Sequence, residues 1–438
     1  MIASPDRQHP LGALQHFLQA RRQDAPAISA LVVALSGGPD SLTLLLAAAQ
    51  IAPALGYRLR ALHVHHGLHA DADLWAAQAC EQAAVVGTLC DVLRVTVPVQ
   101  ASIEAAARQV RYDALAQAMS SDEALLLAHH QNDQAETMLL RLMRGAGLNG
   151  LTAMPAISVW SASGGTRMQR WRPWLDVPRS ALERWLPRAT ACRFSHAPEL
   201  PASALQPVHD PANHDARFDR TLLRAQVLPL LQTRWPEAAS QLSRSAAQLA
   251  QQARALDALA DDMLSRAGFR AGDAGSLALP LLISLDDAAL QAVLARWLVL
   301  RGAPALPVRY WPRLRAELLQ VRSDAQPQLA WSGWSLRRYR QALYLLKDAE
   351  LMLLPEHGVD WLDPREPLRW AGQTWRAQEL LTDLVENDVR LAQPWRLALR
   401  SGGERWHPPG RGHSVSIKHW CQEQGIPPWE RERIVLLW

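Results

Sequence analysis

The pattern of apolar and polar positions in the first two hundred residues alternates between two periods. Short continuous apolar runs are followed by stretches in which apolar residues recur every three or four positions, so the runs predict buried strands and the stretches predict helices packed on a sheet. The predicted strands are Leu31–Leu35, Leu59–Val64, Val92–Val97 and Ala124–Ala128. The predicted helices are Asp40–Gln50, Asp73–Val86, Ile103–Met119 and Asn132–Met143. This alternation favours an α/β fold in which helices cover both faces of a parallel sheet.

The pattern changes in the rest of the chain. A hairpin is predicted over Ser158–Trp174, and from about Ala216 the apolar spacing becomes helical. Residues 216–254 contain six arginines and two acidic residues, so this segment carries the same +4 as the formal net charge of the whole chain. We therefore predict four regions: an α/β domain over 1–215, a basic helical linker over 216–254, a small mostly helical domain over 255–354, and a β-rich basic domain over 368–438.

The composition narrows the class of protein. The chain has 438 residues, of which 49% are hydrophobic and 20% charged, as in ordinary globular proteins. Its four cysteines include no CxxC pair, so we expect no disulfide framework, zinc ribbon or Cys-ligated iron–sulfur cluster. The N-terminus lacks the pattern of a signal peptide, and no apolar run approaches the ~20 residues that cross a bilayer. We expect a cytoplasmic protein that has no membrane partner.

The strongest chemical signal is a glycine-containing segment, Ser36–Ser41, between the first predicted strand and the first predicted helix. Glycine allows close approach of the backbone to a ligand, and the start of a helix presents unpaired N–H groups to an anion. A carboxylate at Asp40 beside a phosphate requires a cation between them, which predicts Mg²⁺. An ordinary glycine turn with a capping side chain is the alternative, and the strand–loop–helix setting disfavours it.

This segment is not a Walker A loop, because the chain contains no GxxxxGK[ST]. It resembles the pyrophosphate loop, or PP-loop, of the ATP pyrophosphatase superfamily. Members of that superfamily split ATP between its α and β phosphates and adenylate a substrate. The resemblance implies that the nucleotide is bound by Ser36, Gly37, Gly38, Pro39, Asp40 and Ser41.

A second polar segment, His129–Thr137, follows the fourth predicted strand. Asp133 and Glu136 are three positions apart and therefore share one face of the predicted helix. Two carboxylates near a phosphate site suit Mg²⁺ ligation or general base catalysis, and His129 lies within reach of the same place. The alternative is an acidic first turn that only stabilises the helix, and the nearby glycine loop argues against it.

Longer motifs resemble one family within the superfamily, the tRNA(Ile)-lysidine synthetases. The matching segments are Ser36–Ser41, His63–His69, Glu104–Tyr112, Ala128–Met154, Arg172–Leu175, Asp210–Asn213, Arg400–Glu404 and Ile426–Arg431. The sequence departs from the family pattern at His65, His69, His209, Ala212 and Thr221. None of these departures touches the glycine loop or the Asp133–Glu136 pair.

The resemblance implies both the fold and the reaction. The fold is a PP-loop ATPase domain, related to the adenine nucleotide alpha hydrolases, followed by a helical linker and two smaller domains that bind tRNA. In the reaction, ATP with Mg²⁺ adenylates carbon 2 of the wobble cytidine in an isoleucine tRNA with a CAU anticodon. Free L-lysine then displaces AMP, and the resulting lysidine reads AUA instead of AUG. We expect no obligate protein partner.

Two groups of candidate residues follow from the resemblance. Arg108 and Arg111 would neutralise the α-phosphate or the cytosine oxygen, while His129, Asp133 and Glu136 would either take a proton from lysine or hold its ammonium group. Contacts with tRNA are predicted for basic residues at helical spacing and for basic and aromatic residues near the C-terminus. These are Arg217, Arg220, Arg224, Arg405, Lys418 and Trp429. For a tryptophan in that group, a place in the core is the simpler interpretation.

Two other functions remain open from the sequence. One is another PP-loop enzyme that modifies tRNA, such as a thiolase, although the chain lacks the paired cysteines that a thiolase of the iron–sulfur or catalytic-cysteine type needs. The other is a tRNA-binding protein without activity, and the intact Ser36–Ser41, Asp133 and Glu136 argue against it.

Overall fold

The structure is a computed structural model that describes most of the chain. Two segments with predicted roles, Asp210–Asn213 and Arg217, lie outside the described residues. The chain divides into two compact units, Met1–Arg254 and Ala255–Trp438. No helix within the described ranges is long and apolar enough to cross a membrane. Those ranges are 8–98, 103–162, 165–191, 202–208, 219–269, 275–320, 327–351, 357–371, 373–380, 394–407 and 412–438.

A six-stranded sheet organises the first unit. Its strands are β1 (Ala30–Ala34), β2 (Arg58–His65), β3 (Cys90–Arg94), β4 (Glu123–Leu126), β5 (Ile157–Ser161) and β6 (Arg167–Trp171). They lie in the order β3-β2-β1-β4-β6-β5, and every neighbouring pair is parallel except the β5–β6 hairpin. The predicted α/β alternation and the predicted hairpin are therefore confirmed.

The third strand differs from its prediction, which was Val92–Val97. The β-branched residues after Arg94 extend the strand pattern in the sequence. In the structure, however, the neighbouring strand β2 ends at His65, which pairs with Arg94. The residues after Arg94 therefore have no strand to pair with, and β3 covers Cys90–Arg94.

Ten helices and one π-helical turn accompany the sheet within the described part of residues 8–266. The helices are α1 (Pro10–Asp24), α2 (Pro39–Ile51), α3 (Ala72–Val85), α4 (Ile103–Ala118), α5 (Gln131–Met143), α6 (Leu148–Leu151), α7 (Arg179–Thr190), α8 (Asp219–Leu222), α9 (Leu228–Arg234) and α10 (Ala238–Arg266). The π-helical turn, Leu223–Val227, joins α8 to α9. Short 3-10 turns cover Pro53–Leu55 and Ala202–Leu205.

The centre of the first unit is strand β1 with helix α2. All five residues of β1 are buried, as expected for a central parallel strand with both faces covered. Helix α2 buries a run from Ser41 to Ala48, and α1 and α7 pack on it. A helix that is apolar around most of its circumference belongs in a core. The loop between β1 and α2 is therefore held at both ends by buried elements.

The second unit contains several small antiparallel sheets. The largest has the order β7-β10-β9-β8, a three-stranded sheet has the order β11-β14-β17, and β12–β13 and β15–β16 form two ribbons. Their bounds are β7 (Ser276–Ala278), β8 (Gln328–Trp331), β9 (Trp334–Tyr339), β10 (Ala342–Lys347), β11 (Val359–Trp361), β12 (Leu368–Trp370), β13 (Gln373–Trp375), β14 (Trp395–Leu399), β15 (Arg405–Trp406), β16 (Val415–Ser416) and β17 (Val435–Leu437). Region 255–354, predicted as mostly helical, thus includes a four-stranded sheet.

Helices cover these sheets, and the fully buried Trp297 lies in the core of the unit. The α-helical segments are Leu279–Ser284, Asp287–Leu300, Trp311–Leu314, Asp348–Leu351, Ala377–Leu380, Ile417–Glu423 and Pro428–Arg431. A 3-10 turn covers Val308–Tyr310, and a π-helical turn covers Arg315–Leu319.

The buried face of α2 should dominate the stability of the first unit. We expect Leu45→Ala to lower the free energy of unfolding by about 3 kcal/mol, because Leu45 is fully buried and the truncation leaves a cavity. The matched control is Leu74→Ala on α3, where the side chain is 67% exposed and the change should stay below ~0.5 kcal/mol. Urea denaturation of both variants measures the difference, and similar losses would contradict the central role of α2.

Candidate functional site

The glycine loop Ser36–Ser41 lies at the carboxyl end of β1, as predicted. Gly37 has φ +84°, and a Cβ built there would lie 2.8 Å from Cγ2 of Val208. The backbone N–H of Val208 also donates to the carbonyl oxygen of Gly37 at 2.9 Å. Both the positive φ and the close approach of Val208 require glycine at this position.

The start of α2 carries the polar groups of the loop. The Oγ atoms of Ser36 and Ser41 are 3.0 Å apart, and Ser41 Oγ donates to the carbonyl oxygen of Gly38. Gly38 is the N-cap and provides no side-chain cap, so the first turn of α2 keeps unpaired N–H groups for an anion. Asp40 stands in that first turn with 32% of its side chain exposed.

Helix α5 begins with a reciprocal pair of hydrogen bonds. His130 is the N-cap, and its Nδ1 accepts the backbone N–H of Asp133 at 3.4 Å. Asp133 Oδ2 in turn accepts the backbone N–H of His130 at 2.9 Å. No role was predicted for His130. The sequence feature that indicates a cap at this position is the acidic residue three positions later, as in a capping box.

The carboxylates of α5 are neutralised by two arginines from the segment after residue 218. Arg224 Nε donates to Glu136 Oε1 at 2.7 Å, and Arg224 Nη2 donates to Asp133 Oδ1 at 2.8 Å. Arg220 Nε donates to Glu136 Oε2 at 3.0 Å. Arg220 and Arg224 were predicted to face a tRNA backbone. The structure instead pairs them with these carboxylates, because Glu136 is 1% exposed and a buried charge requires a partner.

A cavity of about 460 Å³ brings most of the predicted residues together. Asp133 lines it, whereas Glu136 does not, because its carboxylate lies behind the two guanidinium groups. His66 and Tyr112 also line it, although sequence analysis did not nominate them. The predicted residues that line this cavity are Ser36, Asp40, Ser41, Arg108, Arg111, His129, Asp133, Arg220 and Arg224.

A second cavity, of about 410 Å³, adjoins the first. It lies at the carboxyl ends of β1 and β2, and Trp75 and Val208 contribute to its walls. Ser36, His66 and Arg111 line both cavities. A ligand that occupied both would therefore pass these three side chains beside the glycine loop.

The charges around the first cavity are unbalanced. Burial lowers the pKa of His129 to about 3 and the pKa of His66 to about 4, so both imidazoles are neutral near pH 7. Burial also lowers the pKa of Arg111, and its Nε has no hydrogen-bond partner among the described residues. Although burial opposes ionisation of Asp133, the charges of His130 and the arginines outweigh it and lower its pKa to about 2.

The ring of Tyr112 is surrounded by further cations. The guanidinium of Arg108 lies 5.2 Å from the ring centroid and that of Arg170 lies 5.0 Å from it. Arg172 is buried beneath, where burial lowers its pKa to about 10. Of these cations, Arg108 lines the cavity together with Arg111, Arg220 and Arg224. This excess of guanidinium groups suits an anionic ligand, and the ionised Asp133 suits a cationic one.

The donor set for a metal ion is small. Among the described residues, no group of three or more His, Cys, Asp or Glu side chains could hold a metal ion. Asp40 provides one carboxylate at the edge of the loop. Magnesium ions are commonly held by one or two carboxylates with substrate phosphates and water, so this donor set fits Mg²⁺ that arrives with a nucleotide.

The predicted tRNA contacts of the second unit have different surroundings. Arg405 and Lys418 are exposed. Trp429 is 9% exposed, and its ring packs edge-on against Tyr339 and Tyr344. These contacts favour the simpler interpretation, a core tryptophan, and the contact of Trp429 with tRNA stays a prediction.

Comparison with known proteins identifies relatives along most of the chain. The family model of the PP-loop domain matches residues 13–231, the model of the TilS substrate binding domain matches 277–344, and that of the TilS substrate C-terminal domain matches 395–438. The tRNA(Ile)-lysidine synthase of Xanthomonas campestris pv. campestris (strain 8004) is 39% identical over 421 residues, 93% of this chain and 88% of the relative. That of Ralstonia nicotianae is 39% identical over 425 residues, 94% and 87% of the two chains.

The pairing of Arg224 with buried carboxylates has a measurable consequence. We expect Arg224→Ala to lower the free energy of unfolding by about 2 kcal/mol, because Glu136 then keeps only Arg220 as a partner. Arg144→Ala is the control, since Arg144 and Asp219 form an exposed pair whose loss should cost less than ~0.5 kcal/mol. Chemical denaturation of the full chain distinguishes them. An effect of Arg224→Ala as small as that of the control would mean that the cluster is not a structural element.

Proposed function

The chain belongs to the tRNA(Ile)-lysidine synthase family, and on this premise we propose that it is a ligase that forms a carbon–nitrogen bond between L-lysine and tRNA. It joins lysine to carbon 2 of the wobble cytidine in the CAU anticodon of a minor isoleucine tRNA, with conversion of ATP to AMP and pyrophosphate. The observation that carries this proposal is the single cavity shared by the glycine loop, Asp133 and a group of arginines. Because its substrate is tRNA, we assign the enzyme to the cytoplasm.

We assign the two adjoining cavities to different parts of the ATP molecule. The partly apolar cavity beside Trp75 and Val208 suits the adenosine, and the start of α2 suits the phosphates. The α-phosphate would then lie near the shared residues Ser36, His66 and Arg111. Asp40 would hold Mg²⁺ against the β and γ phosphates; when bound, that ion neutralises the charge of the pyrophosphate leaving group.

The arginines of the first cavity provide fixed positive charge for the adenylation step. As the cytosine oxygen attacks the α-phosphorus and the bond to pyrophosphate breaks, negative charge develops on the α-phosphate oxygens and on the leaving pyrophosphate. Arg108 and Arg111 line the cavity on one face of α4 and would stabilise this charge without rearrangement. The neutral imidazole of His129 adds a hydrogen-bonding group that brings no further positive charge.

Lysine has two charged ends and meets two kinds of group in this cavity. The low pKa of Asp133 makes it a poor proton acceptor and a good partner for the ammonium group of lysine. The burial-lowered pKa of His129 makes it a similarly weak base, so we assign to its neutral imidazole a hydrogen bond to the attacking amine. Arg220 and Arg224 would receive the α-carboxylate of lysine, while Glu136 holds these arginines in place.

Contacts with the body of the tRNA require surfaces outside the cavity. We assign catalysis to the first unit, because Arg220 and Arg224 of the predicted linker 216–254 line the cavity together with residues of the predicted domain 1–215. We assign tRNA binding to regions 255–354 and 368–438. Arg405 and Lys418 are exposed near Trp406, which is 36% exposed and packs edge-on against Trp420. Basic and aromatic side chains on one surface suit phosphate contact and base stacking.

The role of Asp40 gives the direct test of the reaction. We expect Asp40→Asn to reduce incorporation of labelled lysine into a minor isoleucine tRNA transcript at least ~100-fold, because the neutral amide is a poor Mg²⁺ ligand. Asp24→Asn, at an exposed carboxylate in the same unit, is the control and should retain activity. Lysine incorporation by Asp40→Asn at the wild-type rate, or none by the wild type with ATP and tRNA present, would contradict the proposal.

The contribution of the C-terminal surface is tested by salt dependence. The double variant Arg405→Ala with Lys418→Ala should bind tRNA more weakly and lower the slope of log K against log salt by roughly 1.4 to 1.8, since each lost phosphate contact contributes about 0.7 to 0.9. Arg58→Ala, an exposed arginine of the first unit paired with Asp122, is the control. Filter binding at several salt concentrations provides the slopes, and an unchanged slope for the double variant would exclude these two contacts.

A further inference from the structure

His130 is a neighbour of two residues that line the catalytic cavity, Asp40 and Asp133. It is 1% exposed, and its backbone forms a parallel bridge with Trp174 next to the end of β4. From this place its ring lies beside two carboxylates, in the first turns of α2 and α5. Nδ1 faces Asp133 of α5, and Nε2 lies 3.7 Å from Oδ2 of Asp40 in the glycine loop.

The proton on Nε2 points toward Asp40. If the ring is neutral, Nδ1 accepts the N–H of Asp133 and the single proton is on Nε2. If the ring is charged, both nitrogens carry protons, so Nε2 is a donor in either form. Nε2 is buried and has no hydrogen-bond partner among the described residues. A contact of 3.7 Å is too long for a hydrogen bond, and such contacts commonly shorten when a substrate binds.

We propose that His130 is a positioning residue that orients Asp40 for the metal ion of the nucleotide. A hydrogen bond from Nε2 to Oδ2 turns the other oxygen of Asp40 toward the phosphates. Because the same ring is fixed by Asp133, it also connects the nucleotide end of the cavity with the end assigned to lysine. The proposal rests on the assignment of Asp40 to Mg²⁺ above.

A simpler role is capping of α5 alone, and two substitutions separate the roles. The side chain of Asn places a polar atom near the position of Nδ1, so His130→Asn keeps an N-cap and loses the group that faces Asp40. The side chain of Gln places an amide nitrogen near the position of Nε2, so His130→Gln keeps a donor to Asp40 and is a poorer cap.

The experiment measures nucleotide binding rather than turnover. The dissociation constant of an ATP analogue with a methylene bridge between the α and β phosphates is determined by calorimetry, with saturating Mg²⁺ and with EDTA. The ratio of the two constants gives the metal enhancement for the full chain. We expect His130→Asn to reduce this enhancement about tenfold, which corresponds to about 1.4 kcal/mol. For His130→Asn, binding of the analogue in EDTA should change less than about twofold. For His130→Gln, the metal enhancement should change less than about twofold.

Each outcome decides between the roles. His130→Asn with the wild-type enhancement overturns the proposal, and so does an equal loss of enhancement in both variants, which indicates a structural role. In the melting temperature, His130→Gln should be the more affected variant: it should melt below His130→Asn, because Gln is the weaker N-cap for α5. Asp40→Asn is the reference and should abolish the enhancement. If it does not, the metal role of Asp40 fails together with this proposal, whereas the lysine incorporation assay tests the ligase function separately.

Discussion

The first unit depends on the neutralisation of Glu136. This carboxylate is 1% exposed, and the guanidinium groups of Arg220 and Arg224 provide the partners that a buried charge requires. The two pairings bring the segment after residue 218 against α5, although more than eighty residues separate the partners along the chain. The same arginines form part of the cavity wall. One electrostatic requirement therefore shapes the fold and closes one side of the site.

The remainder of the cavity has an excess of positive charge. Arg108, Arg111 and Arg172 lie near one another with few acidic groups, and burial keeps His66 and His129 neutral. Such an arrangement is unfavourable without a ligand, because the guanidinium groups repel one another and the Nε atoms of Arg111 and Arg172 have no hydrogen-bond partner among the described residues. An anionic ligand relieves both conditions. The site is thus prepared for charge that only the substrates bring.

The sequence was informative where local periodicity decides the structure. Strands, helices, the hairpin and the position of the glycine loop follow from apolar spacing, which acts over a few residues. It was less informative where long-range pairing decides. Nothing near Arg220 or Arg224 in the sequence indicates that their partners are on α5, and the spacing of Trp429 does not reveal that Tyr339 and Tyr344 cover it. The contact of His130 with Asp40 joins the ends of two strands, which also requires the folded sheet.

The π-helical turn at Leu223–Val227 lies immediately beside these arginines, and its wider winding accommodates one residue more than an α-helical turn would. Five residues with π-helical winding turn through about the same angle as four with α-helical winding, so the extra residue leaves α9 in phase with α8. Removing one residue after Arg224 would therefore restore α-helical winding without rotating α9 relative to α8. Arg220 and Arg224 are four positions apart and would still share one face of the helix. The chain length at this point can thus change by one residue, whereas the identity of the two arginines cannot change without removing the partners of Glu136.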